Sequence, residues 1–107
     1  MSDKLLKDFY LGFIRIHILY HANQSEVYGA ELMKELSHHG YSIGPGTLYP
    51  ILHVLEEKGY LISEKKVESG KMRRYYRITA SGVGALAQAT EYAKELVLEI
   101  QEEENEN

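Results

Sequence analysis

Pro45-Gly46-Thr47-Leu48-Tyr49-Pro50-Ile51-Leu52-His53-Val54-Leu55-Glu56-Glu57-Lys58-Gly59 is the stretch on which the reading of this 107-residue chain turns. Leu48, Ile51, Leu52 and Leu55 recur at i, i+3, i+4 and i+7, the spacing that gathers side chains on one face of an α-helix. Gly59 supplies a C-terminal stop after Lys58, because glycine accepts the left-handed conformation that ends a helix. If the four aliphatic residues are buried, Thr47, Tyr49, Pro50 and His53 point the other way. Two starts fit the sequence: either Thr47 caps the helix and Pro50 still lies in its first turn, or Pro45 opens it and Pro50 bends it.

Toward the N-terminus, Tyr41 to Gly46 reads as a turn. Before it, Ser25 followed by Val27 to Leu36 reads as a capped second helix with Val27, Leu32, Met33 and Leu36 inward and Gly40 as its stop. A first helix runs from about Lys4 to His21. Leu6, Phe9, Tyr10, Phe13, Ile14 and His17 follow helical spacing, while Leu5, Ile16, Leu19 and Tyr20 add apolar groups on other faces. A helix apolar nearly all round is buried on more than one side, so one side meets its own core and another a partner.

Toward the C-terminus, Leu61 to Val67 predicts a strand, Glu68-Ser69-Gly70-Lys71 a turn and Arg73 to Ile78 a returning strand. Alternation turns Tyr76 and Ile78 inward and Tyr75 and Arg77 outward. Thr79 can cap a last helix from Ser81 to about Glu103, in which Val83, Leu86, Thr90, Ala93, Val97 and Ile100 keep heptad spacing. That helix has little of its own domain left to cover it, and the expectation is a second copy of the chain.

The fold class expected is therefore mainly α with a small β-hairpin: a winged helix-turn-helix over residues 1–78 and one long C-terminal dimerisation helix over 79–104, packed with the first helix. Residues 105–107 read as a disordered acidic tail. Phe9, Phe13, Leu86, Ala93, Val97 and Ile100 are the expected dimer interface.

Charge is segregated. The chain carries a formal −4, yet residues 61–77 hold six cations (Lys65, Lys66, Lys71, Arg73, Arg74, Arg77) against Glu64 and Glu68. Half of the 12 basic residues thus sit on one hairpin, a pattern that suits phosphate rows or a narrow minor groove. Thr47, Tyr49 and His53 can offer hydroxyl and imidazole groups to phosphates or base edges. As an ordinary surface the same helix face would simply be a solvated one with a tyrosine over the core, and the hairpin a solubilising turn.

Other functions are disfavoured. With no cysteine there is no disulfide, thiolate nucleophile or cysteine-ligated metal. His17 and His21 lie i, i+4, but no third ligand is apparent and the adjacent His38 and His39 diverge, so no metal and no cofactor are expected. No nucleophile motif or glycine-rich phosphate loop points to an enzyme. Neither a signal peptide nor an uncharged membrane-length run is seen, and a cytoplasmic protein without membrane contact is expected.

The stretch from Pro45 to His53, together with Leu55-Glu56-Glu57-Lys58-Gly59-Tyr60-Leu61, Arg74-Tyr75-Tyr76-Arg77-Ile78-Thr79 and Gly82, and Tyr28-Gly29, resembles the PadR-like transcriptional regulators. The resemblance covers about Leu11 to Leu86. It implies a dimeric winged-helix protein on a palindromic operator in double-stranded DNA, usually a repressor, often released by a small-molecule effector or stress signal. By position it implies that Tyr28, Thr47, Tyr49, Pro50 and His53 are DNA-contact or reader-helix positions, with Lys71, Arg73 and Arg74 as wing contacts. Val54 stands where many relatives carry arginine, and the chain lacks the tryptophan with which some short relatives hold flat aromatic drugs. Tyr10, Phe13, Tyr92 and Leu96 could line a cavity, although core or dimer seam is the preferred reading. A winged-helix protein-interaction module that does not bind DNA is the alternative.

Overall fold

In a computed structural model that describes residues 3–106, the four helices are α1 (Lys4–Gln24), α2 (Gly29–His38), α3 (Pro45–Glu57) and α4 (Ala80–Glu106). The strands are β1 (Val27–Tyr28), β2 (Leu61–Glu68) and β3 (Lys71–Ile78), forming one antiparallel sheet in the order β1-β3-β2. The architecture is mainly helical with a small sheet, as expected, but the sheet has three strands and not two.

The additional strand revises the start of the second helix. Val27 and Tyr28 are extended and pair with Tyr76 and Tyr75. Ser25 does not cap α2; its N–H donates to the His21 carbonyl at 3.2 Å and closes α1. Tyr28 is the N-cap of α2 and makes no side-chain capping bond, so the first amides of α2 are left for another acceptor.

On α2 and α3 the core is the set that periodicity selects, whereas on α1 only Ile14 of the spaced set is buried, Leu6, Phe9 and Phe13 are exposed, and Ile18, Leu19 and Ala22 complete the inward face. Ile14 and Ile18 of α1, Leu32 and Leu36 of α2, Leu48 and Leu52 of α3, and Leu61 of β2 are fully buried, with Ile51, Leu55 and Tyr76 nearly so. Each such aliphatic side chain contributes about 1.5–3 kcal/mol relative to exposure, enough for a few of them to decide the stability of a small domain. Gly40 (φ +90°) and Gly59 (φ +83°) end α2 and α3 in the left-handed region. Gly44 is the N-cap of α3 and Pro45 its first residue, so Pro50 is interior and removes one hydrogen bond from the middle of the helix.

The hairpin register pairs Leu61 with Ile78 through to Glu68 with Lys71. Ser69 (φ +51°) and Gly70 (φ +77°) make the two-residue turn with both φ positive, which matches the right-handed twist of the strands. Tyr75 does lie on the face opposite Tyr76, but it is not solvated: Tyr28 and the side chains of Lys66, Glu68 and Arg73 cover it, leaving it 8% exposed.

α4 starts at a tight joint. The Thr79 hydroxyl donates to the Gly59 carbonyl at 2.6 Å and accepts the Gly82 N–H at 3.1 Å, while the Thr79 N–H donates to the Tyr60 carbonyl at 3.1 Å. A Cβ on Gly82 would stand 2.3 Å from the Tyr60 carbonyl oxygen, so only glycine fits there. α4 then packs along α1, and its helix continues through Asn105 and Glu106, where a disordered tail was expected to start; Asn107 lies outside the described residues.

Candidate nucleic-acid interface

The aliphatic row of α3 locks that helix onto the core and thereby presents the opposite face. Thr47, Tyr49, Pro50 and His53 are all exposed, as is Val54. Tyr49 leans over the start of α2: a Cβ on Gly29 would lie 2.2 Å from its hydroxyl oxygen. Gly29 therefore leaves the space in which Tyr49 rests. His53 Nε2 stands 3.6 Å from Glu57 one turn on, with both side chains solvated.

The wing is braced on both of its faces. On the face turned toward α3, Glu56 accepts from the Ser63 N–H (3.1 Å) and hydroxyl (2.7 Å), and Arg74 Nη1 donates to the same hydroxyl at 3.0 Å. This chain ties α3 through β2 to β3. On the other face, the Arg73 guanidinium sits 4.4 Å above the Tyr28 ring, which meets Tyr75 edge-on at 5.4 Å. A guanidinium over an aromatic face is attracted by the ring quadrupole. Lys66 pairs with Glu26 at 2.5 Å and Glu64 at 3.4 Å and so is neutralised locally. Among the described residues Lys65, Lys71 and Arg77 make no ion pair.

Between wing, α2 and α3 lies a cleft of about 400 Å3 lined by Tyr28, Gly29, Ala30, Tyr49, Lys71, Met72, Arg73 and Arg74. Five of the eight expected contact residues, Tyr28, Tyr49, Lys71, Arg73 and Arg74, meet there. Thr47, Pro50 and His53 continue outward along α3 and do not line it. The uncapped amides of α2 point their partial positive charge into the same region. Cations, hydroxyls and a helix N-terminus facing one opening can take up phosphates.

A second surface lies at the other end of the fold. Phe9, Gly12, Phe13 and Ile16 of α1 face Ala89, Thr90, Ala93, Lys94 and Val97 of α4 across an apolar groove of about 800 Å3. Four of the six expected dimer residues (Phe9, Phe13, Ala93, Val97) line it. Ile100 is exposed further along α4, whereas Leu86 packs partly into its own core. Of the four residues weighed as cavity lining, only Phe13 belongs to this groove. Tyr10 packs on Tyr41 and accepts from the Ser42 N–H at 3.1 Å, and Tyr92 accepts from Gln88 at 3.0 Å.

The histidines associate in a way spacing did not reveal. His39 comes back onto α1, its ring stacked on His17 at 4.5 Å and its Nε2 3.3 Å from His21 Nε2. Burial and the neighbouring imidazoles hold His17 below the usual histidine pKa. Burial also lowers His21, and Glu35 opposes that. Among the described residues no group of three or more His, Cys, Asp or Glu has the geometry to hold a metal ion. Nor is any helix long and apolar enough to cross a membrane.

Comparison with known proteins places this geometry. The chain is 47% identical over 95 residues, 89% of each sequence, to the transcriptional regulator Rv3488 of Mycobacterium tuberculosis. It also resembles the crystal structures of a PadR family transcriptional regulator from Eggerthella lenta (29% identity, TM-score 0.80, 92% of this chain and 88% of that one) and a PadR-like transcriptional regulator from Bacillus cereus (30%, 0.79, 92% and 94%). Residues 18–88, from the second half of α1 through the wing into α4, match the transcriptional regulator PadR-like family, and this chain belongs to that family of transcriptional regulators.

Proposed function

We propose that the chain is a cytoplasmic, homodimeric repressor that binds palindromic operator DNA. One observation carries the DNA-binding reading: Tyr49, from the exposed face of α3, and the wing cations Lys71, Arg73 and Arg74 open on the same cleft, in a chain whose net charge is otherwise negative. In this reading α3 enters the major groove, where Thr47, Tyr49 and His53 meet base edges and Pro50 shapes the helix beside them. Lys71, Arg73 and Arg74 meet phosphates, and Tyr28 flanks the backbone at the start of α2.

The dimer reading rests on exposed apolar residues along α1 and α4, among them Phe9, Val97 and Ile100, which a lone subunit leaves in water. Twofold symmetry would then set two α3 helices about 34 Å apart, one DNA turn. The groove beside Phe9 and Phe13 is where a small effector would act, since a ligand there touches both long helices. Selection of bound duplexes from a random pool, followed by titration at stated salt and sedimentation of the protein, tests the proposal. A palindromic consensus bound by two chains is expected. A monomer, or affinity equal for all sequences, would overturn it.

A further inference from the structure

The wing carries an apolar pair for which the described residues offer little cover. Val67 and Met72 face each other across β2 and β3, next to the turn, and are 67% and 63% exposed. Strand alternation puts them on the same face as the Lys65–Arg74 pair and, lower down, the Ser63–Tyr76 and Leu61–Ile78 pairs. That is the face braced on α3 through Glu56. Met72 also lines the cleft shared by the wing and Tyr49. Exposed hairpins usually carry charged or polar residues at such positions, because an apolar pair on a projecting ribbon invites unwanted pairing. Here it is flanked by the cations Lys65, Lys71 and Arg74.

We propose that Val67 and Met72 form an apolar tip that enters the minor groove of duplex DNA, against the deoxyribose walls and base edges. The flanking cations meet the phosphates on its rims. The inference rests on the DNA-binding reading above and adds a contact that is not electrostatic. The chemistry matches the occupant, since the sugar walls of the groove are apolar while its rims are anionic, and apolar side chains can wedge at base steps there. Such a contact releases no counterions, so it adds affinity at every salt concentration without steepening the salt dependence.

The test compares the full-length wild type with Val67→Thr/Met72→Thr, which keeps β-compatible side chains, and with Val67→Ile/Met72→Leu, which keeps them apolar. Each is titrated against the selected duplex across a salt series. The threonine variant should bind roughly tenfold more weakly at every salt concentration with a parallel slope, and the apolar variant should stay close to wild type. Equal thermal unfolding of the three proteins assigns the loss to the contact. Unchanged binding by the threonine variant, or a loss that appears as a flatter slope, would overturn the inference while leaving the DNA-binding reading intact. A wild type that binds no duplex would remove both.

Discussion

Replacing Gly29 by alanine separates the reader face from the fold. Gly29 is the first residue of α2 and does not need a positive φ, and alanine is the better helix former by about 1 kcal/mol in a helix interior. The backbone therefore has no objection. The obstacle is Tyr49: the new methyl carbon would lie 2.2 Å from its hydroxyl oxygen, 2.6 Å from Cζ and 2.8 Å from Cε1. Ordinary contact needs at least about 3.4 Å, so the ring end must move by more than about 1 Å. Tyr49 is 46% exposed and can swing away at little cost to the core. Gly29→Ala should thus change the unfolding free energy by no more than about 1 kcal/mol. It should weaken binding to the selected duplex about five- to tenfold and shift the preferred bases opposite Tyr49, since a displaced side chain loses a directional contact. A double-mutant cycle isolates the cause: in a Tyr49→Ala background, Gly29→Ala should have almost no further effect on binding. Additive losses, or wild-type affinity in Gly29→Ala, would refute the claim that Gly29 acts by seating Tyr49.

Removing Arg73 and Arg74 together should weaken binding to all sequences and flatten the plot of log affinity against log salt by about one to two units; an unchanged slope would exclude them as phosphate contacts. Gly82→Ala should lower stability by about 2 kcal/mol or more, read by thermal unfolding, because its methyl would meet the Tyr60 backbone and cannot be relieved by a rotamer change. Stability should also depend on acid. His17 and His21 have folded pKa values below the ordinary 6.5, so their contribution is complete above that value and is lost as pH falls through the lowered folded values. Denaturant titration from pH 7.5 to 5 should show this loss, and His17→Gln should reduce it; an unchanged pH profile in the variant would remove His17 from the explanation.

The parts legible in the sequence are those written at short range. Leu48, Ile51, Leu52 and Leu55 declare α3 within eight residues, and Thr79 declares the start of α4 by a cap three residues from its donor. What stayed hidden depends on partners far along the chain. β1 is two residues long and exists because β3, nearly 50 positions later, offers an edge. The burial of Tyr75 follows from that third strand. His39 meets His17 and His21 only after α2 has reversed direction, so no spacing rule on α1 could supply it. The Glu56–Ser63–Arg74 chain likewise crosses three elements. Pro50 was ambiguous because both of its readings satisfied local rules, and Gly44 as the cap decided between them.

The Thr79 joint makes α4 a lever. Two hydrogen bonds from Thr79, to the Gly59 and Tyr60 carbonyls, and the close approach at Gly82 fix its first turn to the residues that directly follow α3. At 1.5 Å per residue the 27-residue shaft is about 40 Å long, so a pivot of about 5° at the joint sweeps its far end by roughly 3.5 Å. Motion in the other direction follows the same gearing: whatever pries the far ends of two such shafts apart re-aims the helices at their bases as rigid bodies.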